Sequence, residues 1–465
     1  MTIRIAVIGA GFCGTMIACE LARASVPEEL VIALIDDRSQ FARGVAYQTN
    51  DEGWLLNARA IQLGAVGGQP GDFSRFCRDI GIGASAETFV PRAVYGAYLE
   101  DLLDKTSASV LRNRLYRVYA RAESIEPASR DGKALLRLGN GETMLADHVI
   151  LATGPVSRST AVPAQMRDLE DHYLHDPWDV RRLYDARPGS TFALLGTGLT
   201  ALDVISSLRR RVPLARFHLL SRRGLLPRSH ASGPTVRPDI DLAGLLRARV
   251  RGSARHCMRE IRAIAAHYQE EGGDWRDVID AMRPQVSTLW QSWSVRDKAR
   301  FVEHVAPYWE VHRHRCPVST SHMIDQLWSD RRLVADAARL EKAWLQADEI
   351  ELQVRRRHAR QSTQIQADYL INCTGPSLQA SQSPLLAQLQ RIGLASDDAF
   401  GLRVDDEYRL IGAGQRPVDW LSYVGPLLKG KFWEATAIPE LRDHVERLVS
   451  RLKAQWLEHE AALAG

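Results

Sequence analysis

Closely spaced cysteines are missing from this chain. Its six, Cys13, Cys19, Cys77, Cys257, Cys316 and Cys373, form no CxxC or CxxxxC pair in 465 residues. That excludes an electron relay through a neighbouring dithiol, which needs two thiols within reach of each other. Long apolar runs are missing too. None reaches the length of a membrane span, and the apolar N-terminus reads as a strand rather than a signal peptide. Charge of one sign is hardly in excess: 60 Lys and Arg against 56 Asp and Glu leave a formal net charge of +4. So slight an excess argues against a nucleic-acid binder on bulk electrostatics. The arginine triplets at 209–211 and 355–357 read as solvated surface. A cytoplasmic protein without a nucleic-acid or membrane partner is the expectation, with its oligomeric state open.

What remains is the composition of an ordinary globular protein, 45% hydrophobic and 25% charged, long enough for two or three domains with sizeable cores. Two stretches carry the chemistry. The first is "IAVIGAGFCGTMIACEL" at residues 5–21. Ile5 to Ile8 make a short apolar strand, Gly9 and Gly11 permit a tight turn with close backbone approach, and Gly14 lets the following helix pack on the sheet. Cys13, Ile17 and Leu21 recur every four residues and predict one buried helix face. A second apolar strand, "LVIALID", ends at Asp36, 22 residues beyond Gly14. At that spacing a carboxylate meets a ribose 2′-hydroxyl, so this unit reads as a dinucleotide site.

The second stretch, "FALLGTGLTALDV" at residues 192–204, repeats the turn with changes. Gly196 and Gly198 are kept, Ala201 takes the third position, and Leu202, Ile205, Leu208 and Val212 predict the packed stripe of the helix. Its next strand, "ARFHLLSRRG", ends in Arg222 and Arg223 with no acid. Two guanidiniums there suit a 2′-phosphate and point to NADPH, the alternative being a solvated basic strand end.

Between the two turns lies a loop-rich segment, "GVAYQTNDEGWLLNARA" at residues 44–60. It is followed by "FVPRAVYGAYLEDLL", whose Val94, Tyr98 and Leu102 suit one helix face. Strand-like pieces divided at Asp131-Gly132 and Asn140-Gly141 lead into "HVILATGP". A parallel "YLINCTGP" closes the second unit, so both nucleotide units end in a strand followed by x-Thr-Gly-Pro. The expected fold class is α/β. It has two Rossmann-like dinucleotide-binding domains, the second inserted in the first, with an additional helical insertion. The expected boundaries are 1–155, 185–375 with the insertion at about 238–336, and 376–465 returning to the first domain and ending in a helix.

Taken together, "VIGAGFCG", "GVAYQT" with "LLNARA", "FVPRAVYGAYL", "ILATGP", "GTGLTALDV", "SRRGLLPRSH", "YWEVHRHR", "INCTGP" and "GPLLKGKFWEATAIPELR" cover nearly the whole chain. In them the chain resembles the two-dinucleotide-binding-domain flavoproteins, and within these the bacterial FAD-NAD(P)-binding family related to N-hydroxylating monooxygenases. The resemblance implies FAD on the first domain and NADPH on the second. Gly9, Gly11 and Gly14 would hold the FAD pyrophosphate, Asp36 its adenosine ribose, and Thr153 with Gly154 the flavin-side turn, while Gly375 would line the matching return strand. Trp433, Glu434 and Ala437 would cap the isoalloxazine near a helix N-terminus, although Trp433 reads equally as a core aromatic. Asn57 would stand beside flavin and nicotinamide, or be an ordinary loop residue.

The reaction so implied is reduction of flavin by NADPH, addition of molecular oxygen at C4a, and transfer of one oxygen from the hydroperoxide to a small nucleophile such as an amine or amino acid. The alternative is a reductase or dehydrogenase without oxygen transfer. The FxGxxxHxxxW signature of Baeyer-Villiger enzymes is absent, and the ATGY of the N-hydroxylases stands here as "CTGP". One segment is left over, "HVAPYWEVHRHRCP" at residues 304–317. On a strand, His312 and His314 would share a face with metal-ligand spacing, completed by His304 or Cys316; on a helix they would diverge. No metal is assigned. Arg313 and Arg315 are the candidates for a substrate carboxylate or phosphate.

Overall fold

The computed structural model describes residues 2–83, 88–128, 133–156, 164–233 and 254–464. The chain forms two compact units. Unit 1 comprises Met1–Asn50, Arg59–Arg158 and Pro376–Gly465, and unit 2 comprises Asp51–Ala58 and Ser159–Gly375. The fold is α/β, with a Rossmann-like sheet in each unit.

In unit 1 the six-stranded sheet runs in the order Arg409–Ile411, Pro417–Tyr423, His148–Leu151, Thr2–Ile8, Glu29–Asp36, Arg114–Tyr119. Thr2–Ile8 is parallel to both neighbours, with Ile5 opposite Ile32 on one side and His148 on the other. Parallel strands covered on both faces favour unbroken apolar runs, and Ile5, Ala6, Val7 and Ile8 are all buried. The helix Phe12–Ala22 departs from expectation. Its burial is not confined to one face, because Arg92–Ser109 and Ile438–Ala464 both pack against it and every residue but Glu20 is buried. On Arg92–Ser109 the buried residues are Tyr95, Gly96, Tyr98, Leu99, Leu103 and Thr106; Val94 and Leu102, predicted for that face, are only half-buried. Asn140-Gly141 makes its predicted turn, with Gly141 at φ +85°, between antiparallel strands Ala134–Leu138 and Thr143–Ala146. Asp131-Gly132 lies outside the described residues.

In unit 2 the seven-stranded sheet runs Thr363–Ala367, Glu349–Arg356, Leu333–Gln346, Arg216–Ser221, Thr191–Leu195, Tyr369–Asn372, Tyr173–Leu174. The predicted stripe Leu202, Ile205, Leu208 and Val212 is buried, in a core that also takes Phe192, Phe217 and Trp54. The helical insertion is described from Ala254–Glu270 to Val318–Ser329, and its expected start near Pro238 lies outside the described residues. Its end is earlier than the sequence pattern indicates. The strand Leu333–Gln346 already contains Asp336, whose carboxylate pairs with His218 at 2.8 Å and Arg356 at 2.9 Å. Among the described residues no helix is long and apolar enough to cross a membrane.

Candidate functional site

The first glycine turn is dictated by backbone crowding. Gly9 has φ +100°, and a Cβ there would lie 2.4 Å from the Ala152 carbonyl oxygen of the return strand's end. At Gly14 a Cβ would lie 1.8 Å from the Gly9 carbonyl oxygen, so the helix can start this close to the turn only with glycine. Gly11 is different. A Cβ there would meet only Gly44 Cα, at 3.6 Å, so its glycine keeps space open instead of relieving a clash.

That space is a cavity of about 580 Å³, lined by Gly9, Gly11, Asp36, Arg43, Thr153 and Gly154 among others. The size is that of a cofactor site. Helices Phe12–Ala22, Pro384–Arg391 and Ile438–Ala464 all begin on its wall, through Gly11, Ser383 and Ile438. The unpaired N–H groups of helix N-termini give such a wall a preference for anions. Asp36 accepts the Ala10 amide at 2.7 Å and the Arg38 amide at 3.0 Å. The carboxylate thereby ties the glycine turn to the second strand, and its remaining lone pairs can receive a ribose hydroxyl. The Thr153 hydroxyl is buried and has no hydrogen-bond partner among the described residues, as a group awaiting a ligand atom would be. Burial pushes the Cys13 thiol up to about 12, so this cavity residue is no nucleophile.

The closing segment meets the cavity through Pro426, Thr436, Ile438 and Leu441. Trp433, Glu434 and Ala437 are not on that wall. Trp433 and Glu434 are buried, and Trp433 holds φ +57° with the Lys429 ammonium 4.6 Å from its ring centre. A large side chain in the left-handed region is uncommon and is held by its surroundings.

In unit 2 the second turn has the same form. Gly196 has φ +110°, and a Cβ there would lie 2.3 Å from the Cys373 carbonyl oxygen. Gly375, in the Thr-Gly-Pro that follows, has φ +77° and ends unit 2. Gly198 precedes the helix Leu199–Arg211, and Ala201 is buried in its first turn. Thr197 fastens this turn to the next strand's end, a role the sequence pattern does not flag. Its hydroxyl donates to the Leu225 carbonyl at 2.5 Å and lies 3.1 Å from the Ser221 hydroxyl. Arg222 is exposed, while Arg223 donates to the Glu303 carbonyl at 2.8 Å.

Asn57 belongs to unit 2, where its carbonyl meets His230 Nε2 at 2.9 Å. The other end of its segment is fixed by a network that sequence reasoning missed. Asp51 accepts from Ser207 at 2.6 Å, Tyr184 at 2.7 Å and the Gly53 amide at 2.9 Å, and it pairs with Arg210. Trp54 Nε1 donates to the same Ser207 hydroxyl at 2.6 Å. Burial alone would raise the Asp51 pKa, but the Ser207, Tyr184 and Gly53 bonds and the Arg210 charge outweigh it and lower it. Arg210 is therefore an anchor rather than mere solvated surface. The available signal was an acid and a tryptophan three residues apart in a polar loop.

The segment 304–317 is helical where it was most open. His312 and His314 fall at the end of helix Ala306–Arg313, and no shared strand face exists. His312 Nδ1 meets the Tyr308 carbonyl at 2.7 Å, His314 pairs with Glu310 at 3.0 Å, and His304 lies 3.8 Å from Glu303. Cys316 is buried. Arg315 is buried and its guanidinium is matched by both oxygens of Asp280, at 2.6 and 2.7 Å, so its charge is spent inside the protein. Arg313 is buried beside it in sequence.

Residues 6–156 match the family described as FAD-NAD(P)-binding. No curated protein matches the sequence. Among solved structures, the ornithine hydroxylase of Pseudomonas aeruginosa is similar over 98% of this chain and 100% of its own, with a TM-score of 0.64 at 15% identity. The ornithine N-hydroxylase of Kutzneria sp. 744, solved with reduced FAD, NADP+ and L-ornithine, covers the same shares at TM-score 0.64 and 14% identity. L-lysine 6-monooxygenase of Pseudomonas syringae is similar over 97% of this chain and 99% of its own, at TM-score 0.63 and 16% identity. The chain has the fold of these flavin-dependent monooxygenases.

Proposed function

We propose that the protein is an FAD-dependent, NADPH-using monooxygenase that oxygenates a small nucleophile, with N-hydroxylation of an amine or amino acid as its reaction. The observation that carries this reading is the cavity of unit 1, where a glycine turn, three helix N-termini, Asp36 and a buried Thr153 hydroxyl without a partner among the described residues meet. These residues fit FAD: the amides at Gly11 and the helix starts suit its pyrophosphate, Asp36 its ribose and Thr153 with Gly154 its ring end. When bound, the flavin accepts a hydride from NADPH and activates oxygen for transfer. The chain's own part is to bind, orient and exclude water.

NADPH is placed on unit 2, with Gly196 and Gly198 at its pyrophosphate and Arg222 and Arg223 at its 2′-phosphate. Asn57 is held through its main-chain carbonyl, which leaves its side-chain amide to position the nicotinamide. Arg315 has no share in this reading, because Asp280 already matches its charge. Substrates of the N-hydroxylases that share the fold, ornithine, lysine and cadaverine, name the amines to try first.

The test is the purified yellow protein with NADPH, oxygen and each amine in turn, scored by hydroxylated product against NADPH consumed. Product formed in step with NADPH and oxygen supports a monooxygenase. Rapid NADPH oxidation with an added electron acceptor, and no oxygenated product from any amine, amino acid or thioether, would replace it by a reductase. The scattered, buried cysteines exclude a dithiol relay for that alternative.

A further inference from the structure

The strand register of unit 2 brings distant arginines to one sheet end. Arg216–Ser221 runs parallel to Leu333–Gln346 with Ser221 opposite Ala337. Leu333–Gln346 then returns antiparallel as Glu349–Arg356, with Ala338 opposite Arg356. Ala337 is therefore flanked by the residue before Arg222 on one side and by the strand leading to Arg357 on the other. Contact confirms it: the Arg357 amide donates to the Ala337 carbonyl at 2.6 Å. A Cβ on Gly224 would lie 3.0 Å from the Ala337 amide nitrogen, so glycine there lets the Arg222-Arg223 turn close on the same point.

A tyrosine from the helical insertion joins them. The Arg223 guanidinium lies 5.4 Å from the ring centre of Tyr308. Arg357 and Arg223 at its hydroxyl lower the phenol pKa from its ordinary value. Among the described residues no carboxylate pairs with Arg222, Arg223 or Arg357, whereas Arg355 and Arg356 of the same run pair with Glu341 at 3.0 Å and Asp336 at 2.9 Å. A protein that neutralises two arginines of a triplet and leaves the third beside two more has left room for an external anion. Arg222 and Arg357 are both exposed. The cluster also stands at the strand end fastened to the glycine turn by Thr197, where an adenosine ribose would lie.

We infer that Arg357, together with Arg222 and Arg223, binds the 2′-phosphate of NADPH, and that Tyr308 is the positioning residue holding Arg223 and Arg357 for it. Three guanidiniums suit a phosphomonoester dianion, which offers three acceptor oxygens. The inference rests on NADPH binding to unit 2.

The experiment is calorimetric titration of the holoenzyme with 2′,5′-ADP and with 5′-AMP, which differ only in the 2′-phosphate, so that no turnover is needed. Wild type should prefer 2′,5′-ADP. Arg357→Ala should weaken 2′,5′-ADP about ten- to a hundredfold and leave 5′-AMP within about twofold. Tyr308→Phe, which keeps the ring under Arg223 and removes the hydroxyl from Arg357, should give a smaller loss of the same preference. Arg355→Ala should leave the preference unchanged, and an unaltered unfolding temperature in each variant shows the fold intact. If wild type prefers 2′,5′-ADP and both Arg357→Ala and Tyr308→Phe keep that preference, Arg357 and Tyr308 have no part in the site and the NADPH reading stands. If wild type binds the two nucleotides equally, the NADPH reading itself falls, and this inference with it.

Discussion

The two glycine turns share a constraint and differ in what surrounds it. At Gly9 and at Gly196 a Cβ would run into a return-strand carbonyl, at 2.4 and 2.3 Å, and both return strands end in a Thr-Gly with the glycine at positive φ. The third position separates them. Gly14 has no room for a methyl against the Gly9 carbonyl, whereas Ala201 carries one in a buried site. The strand ends separate them further, an acid bonded to the turn in unit 1 and, in unit 2, arginines that no carboxylate of the described residues pairs. The crossing is thus a requirement of the strand-turn-helix geometry, while the ligand is chosen by residues just outside it.

The largest expected effect breaks the comparison at its open position. Gly11→Val fills the cavity rather than the backbone crossing, so it should abolish FAD binding while the protein still unfolds cooperatively. Normal yellow occupancy would move FAD out of this turn. Gly14→Ala comes next. A methyl 1.8 Å from the Gly9 oxygen forces the helix to shift, at a cost of about 3 kcal/mol. The reverse change in unit 2, Ala201→Gly, should cost only about 1 kcal/mol, from helix propensity. Denaturant titration of the pair checks the contrast, and equal losses would show the third position to be the same in both turns.

Arg222→Ala sharpens the ligand difference. It should raise the Michaelis constant for NADPH about tenfold or more, with less change for NADH and no change in FAD content. Arg222 is the cleaner choice, since Arg223 also holds the Glu303 carbonyl. A variant that loses FAD instead would mean the units had been assigned the wrong way round. At neutral pH the smallest effect concerns the return strands, which begin with His148 in unit 1 and Tyr369 in unit 2. Burial, helped by the Arg451 charge, depresses the His148 pKa to about 3. The unfolded chain therefore takes up a proton that the folded one refuses. Stability is full above the ordinary histidine range near pH 6.5 and falls as pH drops toward 3, by about 1.4 kcal/mol per pH unit at most. His148→Gln should flatten the acid limb of the stability curve by that slope. An unchanged limb would place the acid sensitivity elsewhere.

Much of this was legible because glycine turns and apolar strands are local. Gly9, Gly14 and Gly196 could be read from spacing alone, since the clash each avoids lies within one strand-turn-helix unit or its return strand. Helix faces were less legible. Phe12–Ala22 is buried all round because two helices distant in sequence cover it, and no periodicity reports that. His312 and His314 could not be placed without knowing helix from strand. Asp51, Thr197, Arg357 and Tyr308 were invisible for a further reason. Their partners lie far off along the chain, and single polar residues carry no periodic signal.

The anchoring of residues 51–58 bears on how the chain can be made and cut. The chain passes from one unit to the other after Asn50, Ala58, Arg158 and Gly375, and strand Pro417–Tyr423 inserts beside His148–Leu151 only after unit 2 has been synthesised. On the ribosome, unit 2 can finish before unit 1, holding a loop borrowed from sequence made long before its own first strand. A gene fragment encoding 159–375 alone would then lack Asp51 and Trp54, leaving Arg210 without its carboxylate, Ser207 and Trp178 without the indole they meet, and a tryptophan-sized gap in the core of unit 2. An excised unit 2 needs its borrowed loop grafted back. Swapping this unit between relatives likewise requires two cuts inside the first sixty residues as well as the two at its own borders.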